Sequence, residues 1–211
     1  MRQRYNDTLP RFPLADDFAF SDPKISAGWF DIRLKCLGQQ HAFTASYLGE
    51  TFAGFLSEVL DLHWYYEGRI SVHDGAKAYE TGYTWQGEPW CYEWSFWPRD
   101  GREVNVRLVH HTDFMAHDPD PKDEVTTWFE ACVPSAVLLR QWYEVGKAVL
   151  MSHGLIGYRN AWILSEFPLR DFRDLHEVVT GEQCKAESIE DDIRFLSRFT
   201  KSPAAGPAGA P

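Results

Sequence analysis

Trp90, Tyr92, Trp94 and Phe96 occupy alternate positions of one short run, with Cys91, Glu93, Ser95 and Trp97 between them. Alternation with a period of two is the mark of a β-strand. A row of four large rings on one strand face has to be buried against something apolar. The fold must therefore supply a partner layer. Pro98-Arg99-Asp100-Gly101 is a turn sequence, and the chain returns over Glu103 to His110 with Val104, Val106, Leu108 and His110 in register. Val125 to Cys132 reads as the next antiparallel strand. Earlier in the chain, Phe30, Ile32, Leu34 and Cys36 alternate with Asp31, Arg33 and Lys35, and His41 to Leu48 forms a second strand-like run across the turn Gly38-Gln39-Gln40. Arg69 to His73, closed by Asp74-Gly75, reads as a further strand.

Helical spacing accounts for the layer that covers these strands. Phe52, Phe55, Leu56, Val59 and Leu60 fall on one stripe. A long helix is predicted over 136–152, with Leu138, Trp142, Val145 and Val149 inward and Gly154 as its C-cap. A shorter helix follows Pro168, with Leu169, Phe172, Leu175, His176 and Val179 inward and Gly181 as its stop, and Glu187 to Phe199 is a candidate last helix. The order of elements predicts an α+β fold: a mainly antiparallel sheet of about five to six strands with helices packed on one face. Residues 1–24 read as an N-terminal arm, 25–201 as a single domain, and 202–211 (SPAAGPAGAP) as a low-complexity tail.

Composition excludes several classes. With 211 residues, 44% hydrophobic and 25% charged, the chain is long enough for a conventional core and is neither collagen-like nor globally disordered. A formal charge of −10 argues against nucleic acid, whose phosphates need cationic partners. Apolar stretches are interrupted before they reach the about 18–20 residues of a membrane span, and no apolar run of signal length follows the basic start. Cys36, Cys91, Cys132 and Cys184 have no paired spacing, which predicts reduced thiols in a cytoplasmic protein rather than a disulfide framework or a four-cysteine zinc site. Phosphate-loop, dinucleotide-binding, zincin and nucleophile-elbow motifs are absent, and the sequence implies no cofactor.

Three features remain as candidate chemistry. The first is the cluster His110, His111, Asp113 and His117, whose residue types suit a divalent metal and metal-assisted hydrolysis. On a strand, however, His110 and His111 point to opposite faces. The second is Trp97, which projects opposite the aromatic row. With Trp128 at the facing parity of its own strand, it forms a candidate surface patch for a partner, a small ligand or a sugar. The third is Asp61, His63 and Glu67 at the end of the first helix, where His63 suits either a base at a pocket mouth or a simple C-terminal cap.

The acid excess is local. Residues 111–124 hold Asp113, Asp118, Asp120, Asp123 and Glu124 against Lys122, and residues 182–193 hold Glu182, Glu187, Glu190, Asp191 and Asp192 against Lys185. Such negative patches either keep a protein in solution or steer a basic protein partner. The leading expectation is a non-enzymatic interaction protein that binds a basic partner through Asp113, Asp118, Asp120, Asp123, Glu124, Trp97 and Trp128. In general character the chain is similar to immunity proteins that neutralise basic toxins, a comparison that covers composition only.

Overall fold

In a computed structural model, residues 11–70, 80–113, 124–163 and 165–200 are described. A first sheet is built from β1 (Ala19–Ser26), β2 (Trp29–Cys36) and β3 (Gln39–Ser46), in the order β1-β2-β3. After helix α1 (Thr51–Tyr66), a second sheet is formed by β4 (Thr81–Gln86), β5 (Cys91–Pro98), β6 (Glu103–His111) and β7 (Val125–Pro134), again in chain order. Helices α2 (Ser135–Trp162), α3 (Leu169–Thr180) and α4 (Ile189–Ser197) follow. The fold is thus α+β, and every strand pairing is antiparallel.

The expected single sheet of five to six strands is corrected to seven strands in two sheets. The added strands are β1 and β4. Alternation in β1 is broken by a register shift between Ser21 and Lys24, where Asp22 takes a positive φ of 53° and Pro23 follows. Proline is tolerated there because β1 is an edge strand and the shift frees the position from the ladder. The strand expected over 69–73 falls largely outside the described residues. Gly154 adopts φ 60° and ψ −174°, so the first helical segment of α2 does end there as expected, and a second segment continues beyond the kink to Trp162.

Two tight hairpins set the register of the first sheet. Ala27-Gly28 joins Ser26 to Trp29 and Leu37-Gly38 joins Cys36 to Gln39, and all four connecting residues have positive φ. That is the geometry of two-residue loops whose twist matches the strands. The register buries Phe30, Ile32, Leu34 and Cys36 together. At the opposite edge of the second sheet, the arm runs beside β7: Ala15 N–H donates to the Cys132 carbonyl (2.9 Å) and Cys132 N–H to the Pro13 carbonyl (2.7 Å). These bonds cover a length of sheet edge that would otherwise invite pairing with another chain.

Both sheets turn their apolar faces toward one aromatic core. Phe43 of the first sheet meets Trp85, Tyr92 and Trp94 of the second at centroid distances of 5.1 to 5.8 Å. Trp142 of α2 is fully buried between Phe52 and Phe55 of α1 and Phe20, Phe30 and Trp85 of the strands. No helix among the described residues is long and apolar enough to cross a membrane.

One glycine decides how closely the helices approach. A Cβ on Gly146, in the middle of α2, would lie 2.4 Å from Phe172 Cε2 and 2.9 Å from Phe52 Cζ. Both rings are fully enclosed and have nowhere to move. Ala in place of Gly in a helix gains about 1 kcal/mol of propensity, whereas forcing a methyl into a filled core costs about 1–3 kcal/mol. We expect the clash to win. Gly146→Ala should lower the melting temperature by several degrees, measured by circular dichroism, and adding Phe172→Leu should recover part of the loss.

Candidate functional surfaces

The structure separates the two tryptophans expected to share a patch. Trp97 lies on the outer face of the second sheet, half-buried. The Phe12 ring of the arm packs edge-on against it (6.1 Å) and the Arg107 guanidinium sits 5.1 Å from its centroid. Trp128 lies on the inner face, against Phe43, Tyr92, His110 and, nearly parallel at 5.2 Å, His41. The cause is a bulge: Leu108 pairs with Phe129 but Val109 pairs with Thr127, so Trp128 is an extra residue that reverses the parity of β7. The common Trp97–Trp128 patch is therefore corrected to two separate environments.

The histidines also diverge. His110 stacks on Tyr92 (5.1 Å) on the inner face, and His111 Nε2 lies 3.3 Å from Glu93 Oε2 on the outer one. Among the described residues no group of three or more His, Cys, Asp or Glu is arranged to hold a metal ion. Asp113 and Glu124 flank the loop mouth, where Glu124 N–H donates to Thr112 Oγ1 (2.9 Å). His117, Asp118, Asp120 and Asp123 lie outside the described residues. Asp61 turns toward Asp171 of α3, and burial together with that neighbour raises its pKa. Glu67 pairs with Arg102 at 2.8 Å, and His63 lines a cleft beside them.

The second acidic stretch is a folded element. Ser188 Oγ accepts from Asp191 N–H (3.2 Å) and caps α4, whose first turn carries Glu190, Asp191 and Asp192 beside the positive end of the helix dipole. One side of α4 docks on α3. Phe195 and Phe199 enter the core beside Phe172 and His176, and Arg173, itself buried, binds Asp192 while lying over the Phe195 ring.

His176 secures the same joint. Its Nε2 lies 2.9 Å from Arg198 Nη1 and its Nδ1 3.0 Å from Tyr143 Oη, and Arg198 continues to Glu182 at 2.8 Å. A guanidinium only donates, so Nε2 accepts and the ring is neutral with its proton on Nδ1, directed to the tyrosine oxygen. Burial, and then the Arg198 charge, hold the His176 pKa below the usual imidazole range.

The acids of this region divide by employment. Asp192 holds Arg173, Asp191 caps the helix and pairs with Arg194 (3.5 Å), and Glu182 holds Arg198. The carboxylates of Glu187 and Glu190 make no hydrogen bond or ion pair among the described residues. Beside them, Ile189 and Ile193 are 74% and 62% exposed. At i and i+4 they share one side of the helix. Sequence reasoning sees the acids here but not the isoleucines, because the spacing of a nine-residue helix does not say which of its apolar residues dock. Comparison with protein-family profiles, with curated proteins and with solved structures gave no match.

The His176 joint has a pH signature. An imidazole whose folded pKa lies below its unfolded value contributes full stability above about pH 6.5 and loses it as pH falls through the depressed folded value. Glu58, raised to about 7 chiefly by burial, acts with the opposite sign, its stability being lost as pH rises. The wild-type profile is thus a sum, and a variant isolates one part. His176→Gln keeps an acceptor for Arg198 but does not titrate. Between about pH 7.5 and 5.5 its melting temperature should fall less than that of the wild type. Equal falls would remove His176 from the account.

Proposed function

We propose that this chain is a protein-interaction module that engages a basic partner through its acidic surfaces, with the outward side of α4 as the principal contact. The observation that carries this reading is the group Glu187, Ile189, Glu190 and Ile193. Two aliphatic side chains stand largely in solvent on one helix side, next to two carboxylates with no structural partner among the described residues. Exposed single aliphatics are ordinary, but apolar anchors bordered by one sign of charge are the pattern of an interface centre with a polar rim. Carboxylates outside any hydrogen bond or ion pair also cost little to expose and add steering toward a positive surface. The 111–124 stretch, with Asp113 and Glu124 at its mouth and Asp118, Asp120 and Asp123 within it, extends the same negative character.

The opposed faces of His110 and His111 weigh against a metal hydrolase centred on that pair, and the separate environments of Trp97 and Trp128 weigh against one stacking platform for a sugar. The proposed role is binding without catalysis.

Charge reversal tests this, since neither carboxylate has a hydrogen bond or ion pair among the described residues. Glu190→Lys also sets a cation at the start of α4, so circular dichroism and melting temperature are used to check that each variant is folded. The chain is immobilised and partners are captured from its source at about 50 and 500 mM salt, where the Debye length falls from roughly 14 to 4 Å. We expect a basic protein that is retained at low salt, weakened at least tenfold at high salt, and lost by both Glu187→Lys/Glu190→Lys and Ile193→Asp. Failure to retain a basic protein, or equal retention by all three forms, would overturn the proposal.

A further inference from the structure

Between the end of α1, the turn Asp100–Arg102 and the start of α2 lies a cleft of about 330 Å³, near the lower bound of small-ligand sites. It shares no residue with the outward side of α4. One wall is the first turn of α2, where Pro134, Ser135 and Ala136 line the cleft. The chain enters this helix straight from β7 with Pro134 at the N-cap. Proline offers no side-chain acceptor, no side chain caps the helix, and no acid stands in the first turn. The leading N–H groups therefore lack intrahelical partners, and no acid of the helix's own first turn opposes the positive end of its dipole.

Two further observations point to a ligand. Ser135 is only 7% exposed and lines the cleft, yet its hydroxyl has no hydrogen-bond partner among the described residues. The oxygen is not sealed from solvent, so it opens onto the cleft and can donate to a ligand there. Arg140, just over one turn further along the same helix, borders the cleft and has no ion pair among the described residues. Arg102 adds a second guanidinium, partly neutralised by Glu67 at 2.8 Å. His63 lines the rim. Its pKa is lowered by burial, while Glu67 acts the other way and Arg102 and Arg69 lower it again. Leu139, Val178 and Val179 supply an apolar side.

We infer that this cleft binds a small amphipathic anion, with a carboxylate or phosphate at the first turn of α2 between Ser135 and Arg140 and an apolar body against Leu139, Val178 and Val179. Helix N–H groups suit any compact anionic oxygen, and a guanidinium pairs with either head group in a fork. The cleft is half open to solvent, and its volume suits a head group with a short apolar body of about a dozen non-hydrogen atoms. In a chain of charge −10, this is a place where positive groups converge with no structural employment for one of them.

The experiment titrates the full chain with phenyl phosphate, hexanoate, inorganic phosphate and uncharged hexanamide, read by amide chemical shifts and calorimetry. Phenyl phosphate, hexanoate or both should bind at least tenfold more tightly than inorganic phosphate and hexanamide, shifting the amides of Ser135, Ala136 and Val137. Which of the two binds more tightly distinguishes a phosphate ester from a carboxylate. Arg140→Gln and Ser135→Ala should each weaken that binding at least tenfold while leaving the unliganded melting temperature within a few degrees. Absence of binding by both organic anions at millimolar concentration, equal binding of hexanamide, or unchanged affinity in Arg140→Gln would overturn the inference. Because the probes are defined small molecules, either outcome is independent of whether α4 binds a protein.

Discussion

The fold depends on the burial of one indole. Trp142 is in ring contact with Phe55 at 4.4 Å, Phe20 at 5.3 Å and Phe52 at 5.4 Å, and reaches Trp85 and Phe30 slightly further out. These residues come from α1, β1, β2 and β4, so a single side chain of α2 joins both sheets to both long helices. Its indole N–H, like those of Trp85, Trp94 and Trp162, has no hydrogen-bond partner among the described residues. An unpaired buried donor costs about 1–3 kcal/mol. Burying an indole removes about 150–250 Å² from water, which at 25 cal/mol/Å² is worth about 4–6 kcal/mol. The transfer contribution wins at each position. Tryptophan is used here for volume and edge-to-face packing rather than for its polar handle.

That balance explains which parts of the fold are legible in the sequence. Tyr92, Trp94 and Phe96 announce a strand because three rings cannot share a face without a core to receive them, and Trp142 announces the helix that meets them. β1 is hidden because Asp22 and Pro23 interrupt its period at an edge, where the sheet tolerates the break. Trp128 is misread for a related reason. One extra residue in β7 moves its side chain through the sheet, and periodicity has no means of locating a single-residue bulge. Gly154 is legible as the break it proves to be, but the second helical segment beyond it is not, although its Tyr158 and Trp162 are buried.

The surfaces are less legible than the core because they depend on which residues are already spoken for. His63 is visible in the sequence as a histidine near a helix end. Its neighbours in the cleft, Arg102, Ser135, Arg140 and Val178, come from three other segments, and only the crossing of α2 over the end of α1 assembles them. The acids of 182–193 are visible as a charge excess, but an excess does not distinguish Asp192, which ties α4 to a buried arginine, from Glu190, which ties nothing.

Net charge alone is therefore a poor guide to which acids of this protein are available to another molecule. Much of the negative charge near α4 is internal bookkeeping: Glu182, Asp191 and Asp192 each neutralise a nearby arginine, and the pairs with Arg173 and Arg198 fix the α3–α4 joint. Once those pairs are set aside, Glu187 and Glu190 remain beside two exposed isoleucines. In the cleft beside α3, Arg140 remains next to an uncapped helix and a serine whose hydroxyl has no partner among the described residues. Residues without structural employment are common on any surface when they occur singly. Their clustering with complementary chemistry, apolar with acidic in one place and apolar with basic in the other, is what separates these two surfaces from ordinary solvated ones. The two are of opposite sign, so the proposed basic partner and the proposed small anion would not compete for one surface.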